Sequence, residues 1–94
     1  MIRSFGNDDT AKIFYGERSR RFPPEIQNIA RRKLRMIASA KFMDDLKVPP
    51  GNRLEKLVGN LSGNYSIRIN LQWRIVFQFE DGGAENVRIE DYHK

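Results

Sequence analysis

Apolar residues recur along the chain at two spacings, and the change of spacing falls near residue 50. From residue 24 to about residue 40 they follow a helical period. The residues of this stripe are Ile26, Ile29, Ala30, Leu34 and Ile37. From residue 65 onward, apolar residues alternate with polar ones, which is typical of strands that have one buried face. Helices followed by strands predict an α+β fold in which two N-terminal helices pack on an antiparallel sheet.

Capping residues and chain breakers predict where these elements begin and end. Pro23-Pro24 begins the long helix, because the first helical turn does not need the N–H that proline lacks. Asn7 and the acidic residues after it predict a shorter helix to about residue 17. We expect that helix to bury Ala11, Ile13 or Phe14, and Tyr15. Residues 2–5 predict a short N-terminal edge strand, and the Pro-Pro-Gly-Asn segment at 49–52 ends the helical half.

The segment YSIRINLQWRIVFQF, residues 65–79, predicts the first hairpin of the sheet. Side chains alternate strictly between the two faces of a strand, so the apolar residues of both strands share a face only in certain registers. Pairing Ile69 with Trp73 meets this condition. The turn Asp81-Gly82-Gly83 then leads to a last strand that points Val87 and Ile89 inward.

The same register places Arg68 directly opposite Arg74 on the other face of the sheet. Like charges in directly opposed positions destabilise a strand pair, so this arrangement requires an explanation. Either a carboxylate such as Glu80 or Glu90 shares that face, or the two guanidinium groups bind an anion. Arginine is suited to holding phosphate with paired N–H groups, and we favour the anion.

Composition excludes several classes of protein. The 94 residues predict a single domain spanning residues 1–94, with no cofactor. The chain has no cysteine and one histidine, which excludes disulfides and argues against a structural zinc site. It shows no signal peptide and no apolar run of about 18 residues, so we expect a cytoplasmic protein that does not enter a membrane.

The net charge of +5 is unevenly distributed. Residues 1–40 carry nine basic and four acidic side chains, which favours a polyanionic partner such as nucleic acid. Arg31, Arg32 and Arg35 lie outside the apolar stripe of the long helix. They form either a solvated face or a docking surface for RNA or an acidic protein, and the sequence favours the solvated face.

The chain ends in EDYHK, residues 90–94, which brings three reactive side chains together. His93 has an unperturbed pKa of about 6.5 and can donate or accept a proton near neutral pH. Asp91 and Tyr92 can orient it or stack on a base. A solvated, frayed terminus is the competing interpretation, and from the residues alone it is the stronger one.

Three motifs occur in order: VPPGNRLEKL at 48–57, SIRIN-x-QWR at 66–74 and DYH at 91–93. Together they resemble the HigB-type toxins of bacterial type II toxin–antitoxin systems, within the RelE/ParE superfamily, over essentially the whole chain. The resemblance implies a RelE/ParE-like microbial ribonuclease-type fold. It also implies a ribosome-dependent messenger-RNA endoribonuclease in which a ribose 2′-hydroxyl attacks the adjacent phosphate without a metal. A ParE-like inhibitor of DNA gyrase and a non-catalytic nucleic-acid-binding module are the alternatives.

The resemblance also assigns roles to individual residues. Arg74 and Arg68 would stabilise the phosphate, and Asp91, Tyr92 and His93 occupy the C-terminal functional positions, with His93 transferring a proton. Glu55 stands where relatives carry a histidine, which leaves the identity of the general base open. Two further departures are Val58 in place of a lysine and Asn70 where some relatives place the first arginine.

The resemblance further implies the partners of the chain. These are messenger RNA, the ribosome and a HigA-type helix-turn-helix antitoxin, with operator DNA contacted only through the antitoxin complex. Arg53, Lys56 and Asn60 are the candidate RNA-binding residues near the sheet.

Overall fold

The structure is a computed structural model that describes residues 1–92, and it has the predicted α+β architecture. Its elements are α1 (Asp8–Phe14), α2 (Pro24–Ser39), β1 (Glu55–Lys56), β2 (Tyr65–Arg68), β3 (Trp73–Glu80) and β4 (Gly83–Asp91). The strands form an antiparallel sheet in the order β1-β2-β3-β4. Two short 3₁₀ helices, Met43–Lys47 and Pro50–Asn52, connect α2 to the sheet, and a third, Gly59–Leu61, connects β1 to β2. The breaker segment therefore ends the helical half, as predicted.

The hydrophobic core lies between the two α-helices and one face of the sheet. α2 contributes Ile26, Ala30, Leu34 and Ile37, and the sheet contributes Ile67, Ile75, Phe77, Val87 and Ile89. All nine are buried, which confirms both the helical stripe and the strand alternation. The opposite face of the sheet carries mainly the polar residues of the same strands, together with the buried Val76.

The long helix also buries two polar side chains that its apolar stripe did not predict. Gln27 is 6% exposed, and its side-chain amide donates to the carbonyl oxygens of Ser19 and Phe22. Lys33 is 8% exposed and donates from Nζ to Oδ1 of Asn52 over 2.9 Å. Segments outside the helix cover both residues. The spacing of apolar residues within one helix cannot predict which other segments will pack over it.

Helix α1 begins as predicted but is shorter than expected. The side chain of Asn7 caps it by accepting the N–H of Thr10 at 2.8 Å. The helix ends at Phe14, and the expectation that Tyr15 is buried is wrong because its side chain is 69% exposed. Thr10 is buried instead, and its hydroxyl accepts the backbone N–H of Ile89 at 3.0 Å.

The N-terminal segment lies at the edge of the sheet but does not form a full strand there. It makes two isolated parallel bridges to β4, from Ile2 to Ala84 and from Phe5 to Val87. Between these bridges β4 is irregular, with a register shift against β3 and a positive φ of 56° at Asn86. A bulge of this kind interrupts a hydrogen-bond ladder, which explains why the predicted edge strand is reduced to bridges.

Candidate active site

The hairpin register is the one that the alternation predicts. Ile67 pairs with Ile75 and Arg68 pairs with Arg74, and the N–H of Ile69 donates to the carbonyl oxygen of Trp73 at 2.9 Å. The two arginines therefore start from directly opposed backbone positions, on the face of the sheet turned away from the helices. Their mutual repulsion has to be offset by other groups on that face.

Glu55 supplies the carboxylate that contacts this pair. It lies in β1, and its Oε1 is 2.9 Å from an Nη of Arg74. The expected alternatives, Glu80 and Glu90, do not make this contact among the described residues. Glu90 is opposite Arg74 in the register but accepts from Nε of Arg88 at 2.8 Å. The carboxylate that contacts the arginine pair is therefore Glu55, in the two-residue edge strand β1, and not Glu80 or Glu90.

Arg74 is enclosed on several sides. It is 6% exposed, and the Nη that contacts Glu55 also lies 3.3 Å from the hydroxyl of Ser66. The aromatic ring of Tyr92 lies 3.9 Å from the guanidinium carbon, which is a close cation–π distance. Ser66 was not among the predicted site residues, because a serine on the polar face of a strand has no distinguishing sequence signal.

Both arginines retain unused hydrogen-bonding capacity. Within residues 1–92, the Nε atoms of Arg68 and Arg74 are buried and have no hydrogen-bond partner. Leaving a buried donor unpaired costs about 1–3 kcal/mol, and more for a charged group. Two such donors on directly paired residues are typical of a site whose ligand supplies the missing acceptor.

These residues line a cleft of about 430 Å³, which we call the arginine cleft. Its lining consists of Arg53, Leu54, Glu55, Arg68, Arg74 and Tyr92. Three guanidinium groups and one carboxylate give the lining a formal charge of +2. The cleft is therefore suited to an anion with several oxygen acceptors, such as a phosphodiester.

A buried polar pair holds the segment that enters this cleft. Asn52 is fully buried, accepts from Lys33 and donates to the carbonyl oxygen of Leu46 at 3.2 Å. The next residue, Arg53, adopts a left-handed conformation with φ of 48° and turns the chain toward Glu55. Burial, with the nearby charges of Arg32 and Arg68, lowers the pKa of Lys33 below its ordinary value of 10.5.

The arginine cleft brings together Glu55, Arg68, Arg74 and Tyr92 of the six predicted catalytic residues. Asp91 is separated from them. It pairs with Trp73, its Oδ2 accepts from Gln72 at 3.0 Å, and it lines a different cleft. His93 lies outside the described residues.

Of the predicted RNA-binding residues, only Arg53 lines the arginine cleft. Lys56 is exposed in β1 at the position after Glu55, so the alternation of strand faces points it to the other side of the sheet. Asn60 is exposed in the 3₁₀ helix Gly59–Leu61 and is not part of the lining. The two departures from the motif, Val58 and Asn70, are also exposed.

The described residues contain no group of three histidine, cysteine, aspartate or glutamate side chains arranged to hold a metal ion. In the same part of the chain, no helix has the length and apolar character needed to cross a membrane.

Sequence comparisons identify the family. A family model described as the RelE-like toxin of the type II toxin–antitoxin system HigB matches residues 3–93. The chain is also 47% identical to Toxin HigB-1 of Vibrio cholerae serotype O1 over 89 residues, which is 93% of each chain. The chain belongs to the HigB-like toxin family. A partial match is 44% identical over 41 residues to Endoribonuclease HigB of Proteus vulgaris, covering 44% of this chain and 45% of that protein.

Solved structures confirm the fold expected for a HigB-like toxin. A chain of the YoeB–YefM complex from Staphylococcus aureus superposes with a TM-score of 0.63, covering 100% of this chain and 97% of the other. The heterotetrameric YoeB–YefM complex from the same organism gives a TM-score of 0.62. Sequence identity is 22% in both cases, so these structures support the RelE/ParE-like fold and not a particular activity.

Proposed function

We propose that this HigB-like toxin is an endoribonuclease that cleaves messenger RNA on the ribosome, with the scissile phosphate bound in the arginine cleft. The observation that carries the proposal is the opposed pair Arg68 and Arg74, whose buried Nε donors lack acceptors within residues 1–92. A phosphodiester supplies those acceptors together with the negative charge. The name of the Proteus vulgaris relative, Endoribonuclease HigB, supports the same chemistry.

The reaction that suits this cleft is an internal transfer at phosphorus. The ribose 2′-oxygen forms a bond to the adjacent phosphorus, and the bond from phosphorus to the 5′-oxygen of the next nucleotide breaks. The products are a 2′,3′-cyclic phosphate and a 5′-hydroxyl end. Negative charge builds up on the phosphoryl oxygens during this step, and the guanidinium groups of Arg68 and Arg74, which both line the cleft, would stabilise it.

Proton transfer requires a base for the 2′-hydroxyl and an acid for the leaving oxygen. Glu55 is the carboxylate nearest to the bound phosphate in this proposal, since it contacts Arg74 at 2.9 Å. We assign Glu55 the role of the general base. We assign the acid to His93, on the basis of the family resemblance. Tyr92 packs on Arg74 and fixes the direction of its guanidinium group.

The test is to map RNA 5′ ends in translating cells that express the toxin under tight control. Wild-type protein should produce new 5′-hydroxyl ends within coding regions, and Arg74→Ala should reduce them at least a hundredfold. Glu55→Gln should also reduce the cuts if the carboxylate is the base. Arg20→Ala is the matched control, because Arg20 is exposed and does not line the arginine cleft, and its cleavage pattern should equal that of wild type.

Two results would contradict the proposal. Growth arrest without new RNA ends, accompanied by double-strand DNA breaks, would instead indicate inhibition of DNA gyrase. Cuts that persist in Arg74→Ala would show that cleavage takes place outside the arginine cleft.

The proposed partner is an antitoxin of the HigA type, a helix-turn-helix protein that brings the toxin to operator DNA. Membership of a type II toxin–antitoxin family supports an antitoxin partner, and the structurally similar YoeB chains come from toxin–antitoxin complexes. Co-expression with the neighbouring gene should suppress both growth arrest and RNA cleavage. Failure of every adjacent gene to do so would overturn the partner assignment.

A further inference from the structure

A second cleft lies at the same end of the sheet as the arginine cleft. Its volume is about 380 Å³, within the range of small-molecule sites. The two clefts share no lining residue: alternation places Trp73 and Arg74 on opposite sides of β3, whereas Arg88 and Glu90 line the second cleft at the edge strand β4, although Glu90 is opposite Arg74 in the register. Trp73 and Asp91 line the second cleft, while the residues that follow them, Arg74 and Tyr92, line the arginine cleft. We call the second site the tryptophan cleft.

Aromatic rings form one part of the tryptophan cleft. Phe22 and Trp73 meet edge to face, with ring centroids 5.6 Å apart and an interplanar angle of 82°. Phe22 is 3% exposed and so fixes the orientation of the partly buried indole. The guanidinium carbon of Arg21 lies 5.9 Å from the centroid of the Phe22 ring. Rings and guanidinium planes of this kind are the surfaces on which unpaired bases stack.

Polar groups line the rest of the tryptophan cleft, and their charges balance. Arg21 and Arg88 contribute two positive charges, and Glu90 and Asp91 contribute two negative charges. Asn7 adds an amide side chain. The arginine cleft, in contrast, has a formal charge of +2. A neutral, partly aromatic cleft does not suit a phosphate, but it does suit a flat uncharged ring with hydrogen-bonding groups at its edge.

We propose that the tryptophan cleft binds a nucleobase of the RNA strand whose phosphate occupies the arginine cleft. The inference rests on the proposed function. Because Trp73 and Arg74 of β3 line different clefts and Tyr92 lies just beyond the end of β4, a single strand can pass from one cleft to the other around the strand ends at Gln72 and Tyr92. The base held beside Trp73 then contributes to the choice of cleavage position.

Trp73 is the only tryptophan in the chain, which makes the test direct. A ¹⁵N–¹H spectrum of the protein contains one indole cross-peak, and it reports on this cleft. Adenosine and cytidine 5′-monophosphates should shift the peak in a saturable way, with a Kd on the order of 1 mM. Ribose 5-phosphate, which has no base, should leave the peak in place.

Two variants separate the clefts. Arg21→Ala removes a largely exposed side chain and should weaken nucleotide binding by about threefold to tenfold. Arg74→Ala should leave the binding of adenosine, which has no phosphate, within about twofold of wild type. The folding of each variant is checked by its remaining backbone cross-peaks.

Three results would overturn the inference. Ribose 5-phosphate could shift the indole peak as strongly as the nucleotides, which would show that the signal comes from phosphate. Arg74→Ala could abolish adenosine binding, which would place the base in the arginine cleft. The indole peak could respond to a purified antitoxin and to no nucleotide, which would make the cleft a protein contact. RNA cleavage lost in Arg74→Ala tests the proposed function separately, because no result at the indole peak depends on catalysis.

Discussion

The contact between Glu55 and Arg74 leads to a prediction about stability. Replacing Glu55 with glutamine keeps the shape of the side chain but removes the charge that faces a 6% exposed guanidinium. Removing one partner of a fully buried ion pair costs about 3–5 kcal/mol. Glu55 is 46% exposed, so solvent screens part of this interaction, and we expect a loss of about 1–2 kcal/mol. In a domain of this size that corresponds to a fall in Tm of about 4–16 °C.

The same variant should bind anions better than wild type. With Glu55 neutral, phosphate no longer competes with a carboxylate for Arg74, and its binding stabilises the folded state by mass action. At a concentration ten times its Kd, phosphate should raise the free energy of unfolding of Glu55→Gln by about 1.4 kcal/mol. Thermal unfolding followed by circular dichroism measures both effects, with sodium chloride used to hold the ionic strength constant across the phosphate series.

Glu85→Gln provides the matched control for Glu55→Gln. Glu85 is 50% exposed and lies 3.6 Å from Arg3, so the same change in charge occurs away from the arginine cleft. This variant should lose little stability and gain nothing specific from phosphate. The reasoning fails if the two variants have equal Tm values, or if phosphate raises the Tm of Glu55→Gln no more than that of wild type.

Three further outcomes test the fold. Backbone N–H groups of Phe42 and Lys41 hold the pKa of Asp45 below 3.8, so its ionised form adds stability that is lost as the pH falls through the lowered value. In urea unfolding, Asp45→Asn should therefore be less stable than wild type at pH 7, and this difference in the free energy of unfolding should shrink below about pH 3.8. The pKa of Lys33 is lowered in the folded state, so the free energy of unfolding of wild type relative to Lys33→Met should rise as the pH approaches 10.5. Urea unfolding at alkaline pH measures this difference, and a difference that does not change with pH would contradict the prediction. Phe77→Ala should cost about 3–5 kcal/mol because its side chain is fully buried, whereas Phe42→Ala, at 71% exposure, should change urea stability by less than about 0.5 kcal/mol.

The sheet could be predicted from the sequence because alternation leaves few acceptable registers. A shift of one residue would turn the apolar residues of one strand toward solvent, so the apolar pattern together with a short connection at residues 70–72 predicts that Arg68 faces Arg74. The beginnings of α1 and α2 were predictable for a related reason. Capping by Asn7 and the proline at the start of α2 depend only on the local backbone.

Features that depend on contacts between distant segments could not be read from the sequence. Lys33 is buried because the 3₁₀ turn that carries Asn52 covers it, and 19 residues separate the two. Tyr15 is exposed because α1 ends at Phe14, the residue before it, and does not continue to about residue 17 as expected. Glu55 reaches Arg74 through the pairing of β1 with β2, and two residues are too short a strand to show any alternation.

Asp91 is the last residue of β4 and Tyr92 lies just beyond it, and the two side chains line different clefts. A motif that looks like one cluster in the sequence is therefore divided between two clefts where the sheet ends. Tyr92 packs on Arg74 at the arginine cleft, while Asp91 lies with Trp73 at the tryptophan cleft. If both residues serve the same reaction, the RNA must contact both faces of the strand ends. Substituting Asp91 should then alter which positions are cut, whereas substituting Arg74 should abolish cutting at all of them.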